Sequence, residues 1–296
     1  MPRGARNSLR LWTMLDSPDR PPALVSEFNN KPVLVLAPHM DDETIGCGGA
    51  VYRHAQAGAP VTVVYMTDGA KGDPTLASQG LTPEQLAQAQ QAYVQLRKSE
   101  AKSAAEILGI CEQIYLDGPD GALVPTQSLV QAVVDQLKAI QPAIVYLPAL
   151  TDQHHDHWGT NRIFQAALAT LPRLQVRRLI IRGYEVWTPA PANTLIDITD
   201  AIETKCKALD AFVSQTKWVD YRHISRGLAA YRSMVHMQGK GYAEAFLETT
   251  PAQYAKLFDA ICLRPSNSLG AMASVLQKTA SMPRRNAAIA RTPHLD

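Results

Sequence analysis

The 296-residue sequence predicts an α/β fold: a Rossmann-like, doubly wound and mostly parallel sheet, with helices on both faces of a single domain. Two observations lead to this prediction. Apolar runs rich in β-branched residues alternate with helical patterns, and repeated strand–helix–strand units form right-handed crossovers between parallel strands. The composition, 46% hydrophobic and 19% charged residues, also provides enough apolar side chains for a sizeable core.

The predicted elements follow one another in a regular order. Apolar runs predict strands over residues 33–37, 61–66, 113–116, 143–147 and 178–186, and a further strand near 194–198 extends or flanks the sheet. Helices are predicted over about 44–57, 83–108, 127–140 and 158–171, and a helical stretch covers roughly 200–215. The later segments "WVDYRHISRG" and "GYAEAF" are expected to pack on the same domain.

The two ends of the chain differ from this pattern. Residues 1–30 are rich in proline and lack sustained periodicity, so they predict an N-terminal arm that leads into a domain over residues 31–264. Residues 265–296 are small and polar with scattered arginines, which predicts a largely disordered C-terminal tail.

Charge and cysteine usage restrict the class of partner. Lysine and arginine total 29 against 27 acidic residues, so the charge balance favours a small-molecule partner over nucleic acid or an acidic membrane surface. The four cysteines form no C-x-x-C pair, and the N-terminal run "LRLWTML" is too short for a signal peptide or a membrane span. These features predict a cytoplasmic protein with reduced thiols, and a homo-oligomer stays possible.

Metal-competent side chains cluster after two predicted strands. The segment "PHMDDE" places His39, Asp41 and Asp42 directly after strand 33–37, and "HHDH" follows strand 143–147. Ligands of open α/β sheets bind at the carboxyl ends of the strands, where both clusters lie. Two histidines with one carboxylate can hold a catalytic zinc, and an adjacent free carboxylate can deprotonate water.

Each cluster alone has a simpler explanation. Acidic residues at a helix start commonly cap the helix and favour its dipole, and histidine clusters occur at protein surfaces. The two clusters at one sheet edge favour a metal site over coincidence. The glycines of "GCGG" do not fit a nucleotide-binding motif, because Val51 stands where G-x-G-x-x-G requires glycine. Close packing of the helix on the sheet explains them.

With these motifs, the chain resembles the PIG-L/LmbE-like family of zinc-dependent N-acetylglucosaminyl deacetylases. That family carries a His-Pro-Asp-Asp-Glu motif after its first strand and a later His-x-Asp-His motif. This sequence has "PHMDDE", with Met40 for the usual proline, and "HHDH". The resemblance spans about residues 33–250 and implies hydrolysis of an acetamido group on an N-acetylated sugar or glycoconjugate, with release of acetate and a free amine.

The resemblance also implies a role for each motif residue. One Zn²⁺ per chain would be held by His39, Asp42 and His157, and Asp41 would be the general base that activates water. A cationic His154 would stabilise the oxyanion or protonate the leaving amine, Asp156 would orient it, and His155 would be a bystander.

Several residues outside the motifs keep two interpretations. Arg97 could pair with Glu100 one helical turn away, or contact substrate hydroxyls, which the family resemblance favours. The aromatics of "YEVWTP" could stack on a sugar but are more typical of a core strand. Asp68 and Lys71 are weaker candidates for the pocket wall.

Two other functions are compatible with the same motifs. The first is a different metal hydrolase, either an amidase acting on another N-acyl group or a phosphoesterase, which often requires two metals. The second is a non-catalytic sugar-binding module. Metal binding alone requires neither Asp41 nor His154, and their presence favours an enzyme.

Overall fold

The protein is described here by a computed structural model, which covers residues 21–262. Its strands form one sheet of eight, in the order β1-β7-β8-β6-β5-β2-β3-β4. The strands are β1 (Ala23–Val25), β2 (Val33–Ala37), β3 (Val61–Thr67), β4 (Glu112–Gly118), β5 (Ile144–Pro148), β6 (Ile180–Tyr184), β7 (Thr194–Asp197) and β8 (Ala243–Thr249). Within the segment β6-β5-β2-β3-β4 of this sheet, every pair of adjacent strands is parallel. The predicted fold class is therefore confirmed.

Helices cover both faces of the sheet. They are α1 (Asp42–Gln56), α2 (Pro83–Leu108), α3 (Gln127–Ile140), α4 (His155–Thr170), α5 (Arg173–Val176), α6 (Ile202–Asp210), α7 (Val213–Thr216), α8 (Tyr221–Arg232), α9 (Met234–Met237) and α10 (Pro251–Cys262). A short 3₁₀ turn spans Leu76–Ser78. The helices α1, α2 and α6 contact one another on one face, and α3, α4 and α10 lie on the other.

The central strand β2 divides its side chains between two apolar cores. Val33, Val35 and Ala37 belong to the core under α1 and α2, whereas Leu34 and Leu36 belong to the core under α3 and α4. All five are buried, because successive side chains of a strand point to opposite faces and both faces here are covered. The strand is therefore held rigidly up to the residue before Pro38, where the site begins.

The strand β8 was missed by the sequence prediction, which expected "GYAEAF" only to pack on the domain. It lies antiparallel between β6 and β7. Its apolar run is interrupted by Glu244, which is buried and accepts hydrogen bonds from Lys205 Nζ at 2.7 Å and from the backbone N–H groups of Gly49 and Ala50. The buried charge has partners that only the tertiary structure supplies.

Part of the predicted N-terminal arm pairs with the sheet. Ala23–Val25 forms an edge strand that pairs in parallel with Thr194–Ile196 of β7. Three residues are too few to show a period, so no strand could be predicted there from the sequence. Residues 1–20 and the predicted tail over 265–296 lie outside the described residues. Within 21–262, no helix is both long and apolar enough to cross a membrane.

The glycines of α1 allow the close packing that was expected. A Cβ atom built on Gly46 would lie 2.2 Å from the Tyr184 ring, and one on Gly49 would lie 2.6 Å from Ile198. Such distances are far below van der Waals contact, and both neighbours are fully buried. Glycine is therefore required at these positions by the approach of α1 to the sheet.

We expect Gly49→Ala to lower the free energy of unfolding by about 1–3 kcal/mol, because the added methyl overpacks a closed core. Gly227→Ala is the matched control. Gly227 lies within α8 with open space around its Cβ position, so alanine should stabilise the protein by about 0.5–1 kcal/mol through helix propensity. Urea denaturation of both variants tests this, and equal effects would contradict it.

Acid should weaken the fold through His54. This histidine is buried, its Nε2 lies 2.9 Å from the Tyr146 hydroxyl, and burial followed by the nearby Arg182 charge lowers its pKa to about 3. The unfolded chain therefore binds a proton below about pH 6.5 that the folded chain does not, and stability falls by up to about 1.4 kcal/mol per pH unit between pH 6.5 and 3.

We therefore expect His54→Gln to lose about 2 kcal/mol less stability than the wild type between pH 7 and 5. Urea denaturation at the two pH values measures this difference. His223→Gln, which replaces an exposed histidine, should behave like the wild type.

Candidate metal centre and active site

The two predicted clusters meet at the centre of the sheet. The strands β2 and β5 are direct neighbours, with Val33 paired to Ile144 and Val35 to Tyr146. The strand order turns here, because β3 and β4 lie on one side of β2 while β5 and β6 lie on the other. The loops after β2 and β5 therefore open a crevice at the carboxyl edge, the usual binding place of such sheets.

The three predicted metal ligands converge in this crevice. Oδ2 of Asp42 lies 3.0 Å from Nδ1 of His39 and 3.2 Å from Nε2 of His157. These separations are close to the roughly 3.3 Å between neighbouring ligands of a tetrahedral zinc with bonds of about 2.0–2.1 Å. His157 and Asp42 are buried, and His39 is partly exposed at the cavity.

The second nitrogen of each histidine lies against a carboxylate. Nε2 of His39 lies 3.1 Å from Asp156 and 3.4 Å from Asp120, and Nδ1 of His157 lies 3.2 Å from Asp152. Carboxylates at these positions favour the tautomers that leave Nδ1 of His39 and Nε2 of His157 free to bind a metal. The donor set therefore fits zinc in both ligand type and tautomer.

Electrostatics in the cluster favour a cation between these side chains. Burial alone would lower the pKa of His157, but the charges of Asp42 and Asp152 and their contacts raise it to about 9. Burial opposes ionisation of Asp42 as well, yet the two imidazoles hold its pKa well below the usual range. The buried carboxylate is thus stabilised by positive charge, which a divalent ion would also supply.

A second group of possible metal ligands shares two histidines with the predicted group. His154 offers a ring nitrogen within 4.8 Å of those of His39 and His157. Its Nδ1 accepts a hydrogen bond from the backbone N–H of Asp156 at 3.2 Å. Asp42 and His154 are thus both placed as third ligands beside His39 and His157, and one oxygen of Asp42 lies within 3.2 Å of both imidazoles.

Asp41 lies beside the cluster with Arg97 behind it. Nη2 of Arg97 lies 3.2 Å from Oδ2 of Asp41 and also donates to the Met40 carbonyl. Burial raises the pKa of Asp41, and the guanidinium opposes part of this rise. The alternative pairing of Arg97 with Glu100 does not form. Glu100 instead accepts two hydrogen bonds of 2.7 Å from Ser214.

The structure changes the expected relation between Asp156 and His154. The Asp156 carboxylate contacts His39 and accepts hydrogen bonds from the N–H groups of Gly121 and Leu123, so it does not orient the His154 ring. The expectation that His154 is cationic is also not supported. Burial lowers its pKa, and the neighbouring histidines lower it further.

A cavity of about 550 Å³ opens above the cluster. Its floor includes His39, Asp41 and Asp42, and Arg97 reaches it although only 2% of that residue is exposed. One wall is mainly apolar and is formed by Ile45, Val186, Trp187, Val219, Tyr221 and Ile224. A polar floor with an apolar wall is typical of a small-molecule site.

The cavity lining shows which of the other candidate residues reach the site. In "YEVWTP", Tyr184 is fully buried as a core residue, whereas Trp187 is 67% exposed and lines the cavity. Lys71 also lines the cavity. Asp68 instead accepts a hydrogen bond from the backbone N–H of Ala70 within its own loop.

Two carboxylates of the site were not singled out from the sequence. Asp120 follows β4 and contacts His39, and Asp152 follows β5 and contacts His157. Their signal was their position after core strands, as for the predicted residues. Acidic residues in loops are common, however, and only the folded contacts distinguish these two.

Comparisons with known proteins agree with this geometry. The family model described as PIG-L, GlcNAc-PI de-N-acetylase, matches residues 34–168. Diacetylchitobiose deacetylase of Thermococcus kodakarensis is 30% identical over 233 residues, which cover 73% of this chain and 83% of that protein. A solved N,N'-diacetylchitobiose deacetylase from Pyrococcus horikoshii, in complex with its inhibitor MPG, superposes with a TM-score of 0.63 at 25% identity. That superposition covers 81% of this chain and 88% of that one.

A relative with a different reaction is also present. The 4-oxalmesaconate hydratase of Pseudomonas putida is 26% identical over 239 residues, 75% of this chain and 90% of that protein. The fold is therefore shared by proteins named for deacetylation and for hydration. Taken together, the two motifs, their convergence at the sheet edge and these similarities show that the chain belongs to the PIG-L family.

Proposed function

We propose that the protein is a zinc-dependent hydrolase that removes the acetyl group from an N-acetylglucosamine-type sugar or conjugate. The observation that carries this proposal is the approach of two imidazole nitrogens, from His39 and His157, to a single oxygen of Asp42 at the floor of a cavity. Relatives named as deacetylases of such sugars support the substrate class.

His39, Asp42 and His157 would hold one zinc ion. When bound, zinc would polarise the acetamide carbonyl and lower the pKa of a water molecule. Asp41 has its Oδ2 on Arg97, and we assign Oδ1 as the atom that accepts the proton from the attacking water. The same carboxyl group then passes this proton to the nitrogen as the C–N bond breaks, which gives acetate and a free amine.

His154 would act on the carbonyl oxygen. Because its Nδ1 accepts a hydrogen bond from the backbone of Asp156, the neutral ring carries its proton on Nε2 and can donate to the developing oxyanion. Asp156 contributes as a positioning residue for His39 and the loop at Gly121. Arg97 fixes Asp41 and, at the cavity wall, could also contact substrate hydroxyls.

The alternatives concern the substrate more than the site. An amidase acting on a different N-acyl group would use the same residues, and the apolar wall has room for groups other than a sugar. Because one relative is named as a hydratase, the substrates tested should include a compound without an amide bond. The cytoplasmic location stays a prediction.

We expect the wild type to bind one zinc ion per chain and Asp42→Asn to lose it. The substitution replaces the anionic ligand with a neutral amide, so zinc affinity should fall by more than the roughly 10–100-fold typical of losing an outer partner of a ligand. Metal content after dialysis against a chelator measures this. His155→Gln, at the exposed neighbour of the site, should retain its zinc; loss in both variants would contradict the assignment.

Asp41→Asn should keep its zinc but release amine from N-acetylated sugars about 10²–10⁴-fold more slowly, because it removes the general base without removing a ligand. Amine release and metal content are measured together, with N-acetylglucosamine and N,N'-diacetylchitobiose as substrates. Asp117→Asn changes an exposed carboxylate at the end of β4 and should match the wild type.

The outcomes test the general-base role of Asp41 separately from the substrate class. Zinc-loaded Asp41→Asn with activity within tenfold of the wild type would disprove the general-base role. A zinc-loaded wild type that hydrolyses no acetamido sugar would instead disprove the substrate class.

A further inference from the structure

The carboxylate of Asp152 has no part in the proposed reaction, yet it lies between three parts of the site. Asp152 belongs to the loop between β5 and α4 and is only 8% exposed. Its Oδ1 accepts a hydrogen bond of 2.9 Å from the backbone N–H of His154. Its Oδ2 lies 3.2 Å from Nδ1 of His157 and accepts a hydrogen bond of 3.1 Å from the backbone N–H of Trp187. One buried side chain thus joins the metal cluster, the oxyanion-side histidine and the cavity wall.

The contact with Trp187 links two segments that are distant in sequence. Trp187 follows β6, and its ring lies 5.5 Å from the His154 ring, centroid to centroid, tilted by 32°. The ring is exposed at the cavity, where an aromatic surface can stack on a sugar face or another planar group. The position of this exposed ring therefore depends in part on a backbone hydrogen bond to Asp152.

The same Asp152 oxygen contacts the metal cluster. A metal on Nε2 of His157 requires the ring proton to be on Nδ1, which is the atom that faces Oδ2 of Asp152. Binding of metal therefore keeps the Nδ1 proton of His157 on the side of the oxygen that also holds Trp187. Metal binding and the contacts of Asp152 with His157 and Trp187 are therefore linked. If bound metal stabilises these contacts, the contacts must stabilise metal binding by the same free energy.

We propose that Asp152 is a positioning residue that couples metal binding at His157 to the placement of Trp187 on the cavity wall. The inference rests on the proposed metal centre but not on the identity of the substrate. It predicts that bound metal restricts the position of Trp187 further than the hydrogen bond to Asp152 does alone.

The two-oxygen arrangement determines which variants are informative. Both oxygens of Asp152 accept hydrogen bonds from N–H groups, so Asp152→Asn must direct its NH₂ group at a donor in either amide orientation. The orientation that keeps the contacts with His157 and Trp187 loses the contact with His154. Asp152→Ala removes all three contacts and leaves the N–H groups without their acceptor.

The first measurement is zinc affinity, by competition with a chelator and without substrate. We expect Asp152→Ala to bind zinc about 10–100-fold more weakly than the wild type, and Asp152→Asn to be weakened in the same direction but less. Asp197→Asn is the matched control, because Asp197 ends strand β7 and, like Asp152, accepts a hydrogen bond of 2.9 Å from the N–H two residues later, at Thr199. Its zinc affinity should equal that of the wild type.

The second measurement is tryptophan fluorescence during zinc titration. Subtracting the signal of Trp187→Phe from that of the wild type isolates the response of Trp187. We expect zinc to change this response in the wild type and in Asp197→Asn. The same subtraction with Asp152→Ala and the double variant Asp152→Ala/Trp187→Phe should leave no change at saturating zinc. Circular dichroism confirms that each variant is folded, and Asp152→Asn replaces Asp152→Ala if the alanine variant unfolds.

The proposal would be overturned if both Asp152 variants bound zinc as tightly as the wild type. It would also be overturned if zinc did not change the Trp187 fluorescence of the wild type, or if zinc changed it equally in Asp152→Ala. Neither readout uses a substrate. Failure of the deacetylase assignment would leave both results unaffected, so the two failures are distinguishable.

Discussion

The site depends on one buried carboxylate oxygen that two imidazoles share. Oδ2 of Asp42 is also the acceptor of a 2.9 Å hydrogen bond from the His39 backbone N–H, so the end of β2 and the start of α1 are tied to the same atom. A buried carboxylate without partners is strongly unfavourable. The chain meets this requirement by bringing His157 from the first turn of α4, and a bound cation would meet it further.

Each charged side chain around this oxygen has an oppositely charged partner of its own. His39 and His157 lie against Asp156 and Asp152, and Asp41 lies against Arg97. Glu43 is compensated in another way. Its burial, followed by the charge of Asp41, raises its pKa to about 8, and it accepts hydrogen bonds from the hydroxyls of Tyr65 and Thr44. The three acidic residues of the motif "DDE" thus each have a different kind of partner: a guanidinium for Asp41, imidazoles for Asp42 and hydroxyls for Glu43.

The packing of α1 holds these contacts in place. Gly46 and Gly49 let the helix approach Tyr184 and Ile198, and the ion pair of Glu244 with Lys205 is attached to the N–H groups of Gly49 and Ala50 within the helix. Lys205 also donates to the Ile45 carbonyl at 2.7 Å. The helix that begins at Asp42 is therefore fixed against both the sheet and α6, and the ligand at its first residue has little freedom to move.

The sequence by itself determined the fold class and the location of the site. Buried apolar runs such as Val33–Ala37 have the period and length of strands, and the polar motifs after them must reach the carboxyl edge of a parallel sheet. The convergence of His39 and Asp42 with His157 followed from this rule, because adjacent parallel strands end at the same edge.

Only the tertiary structure decided which polar groups are partners. The carboxylate of Asp156 contacts His39, and only its backbone N–H bonds to the His154 ring. Glu100 bonds to Ser214 and not to Arg97, and Asp152 connects His157 to Trp187. Strand β8 was hidden for the same reason, because buried Glu244 resembles a surface residue until Lys205 is beside it. Hydrogen bonds and ion pairs act over about 3 Å between residues distant in sequence, so local patterns identify which groups need partners but not which partners they find.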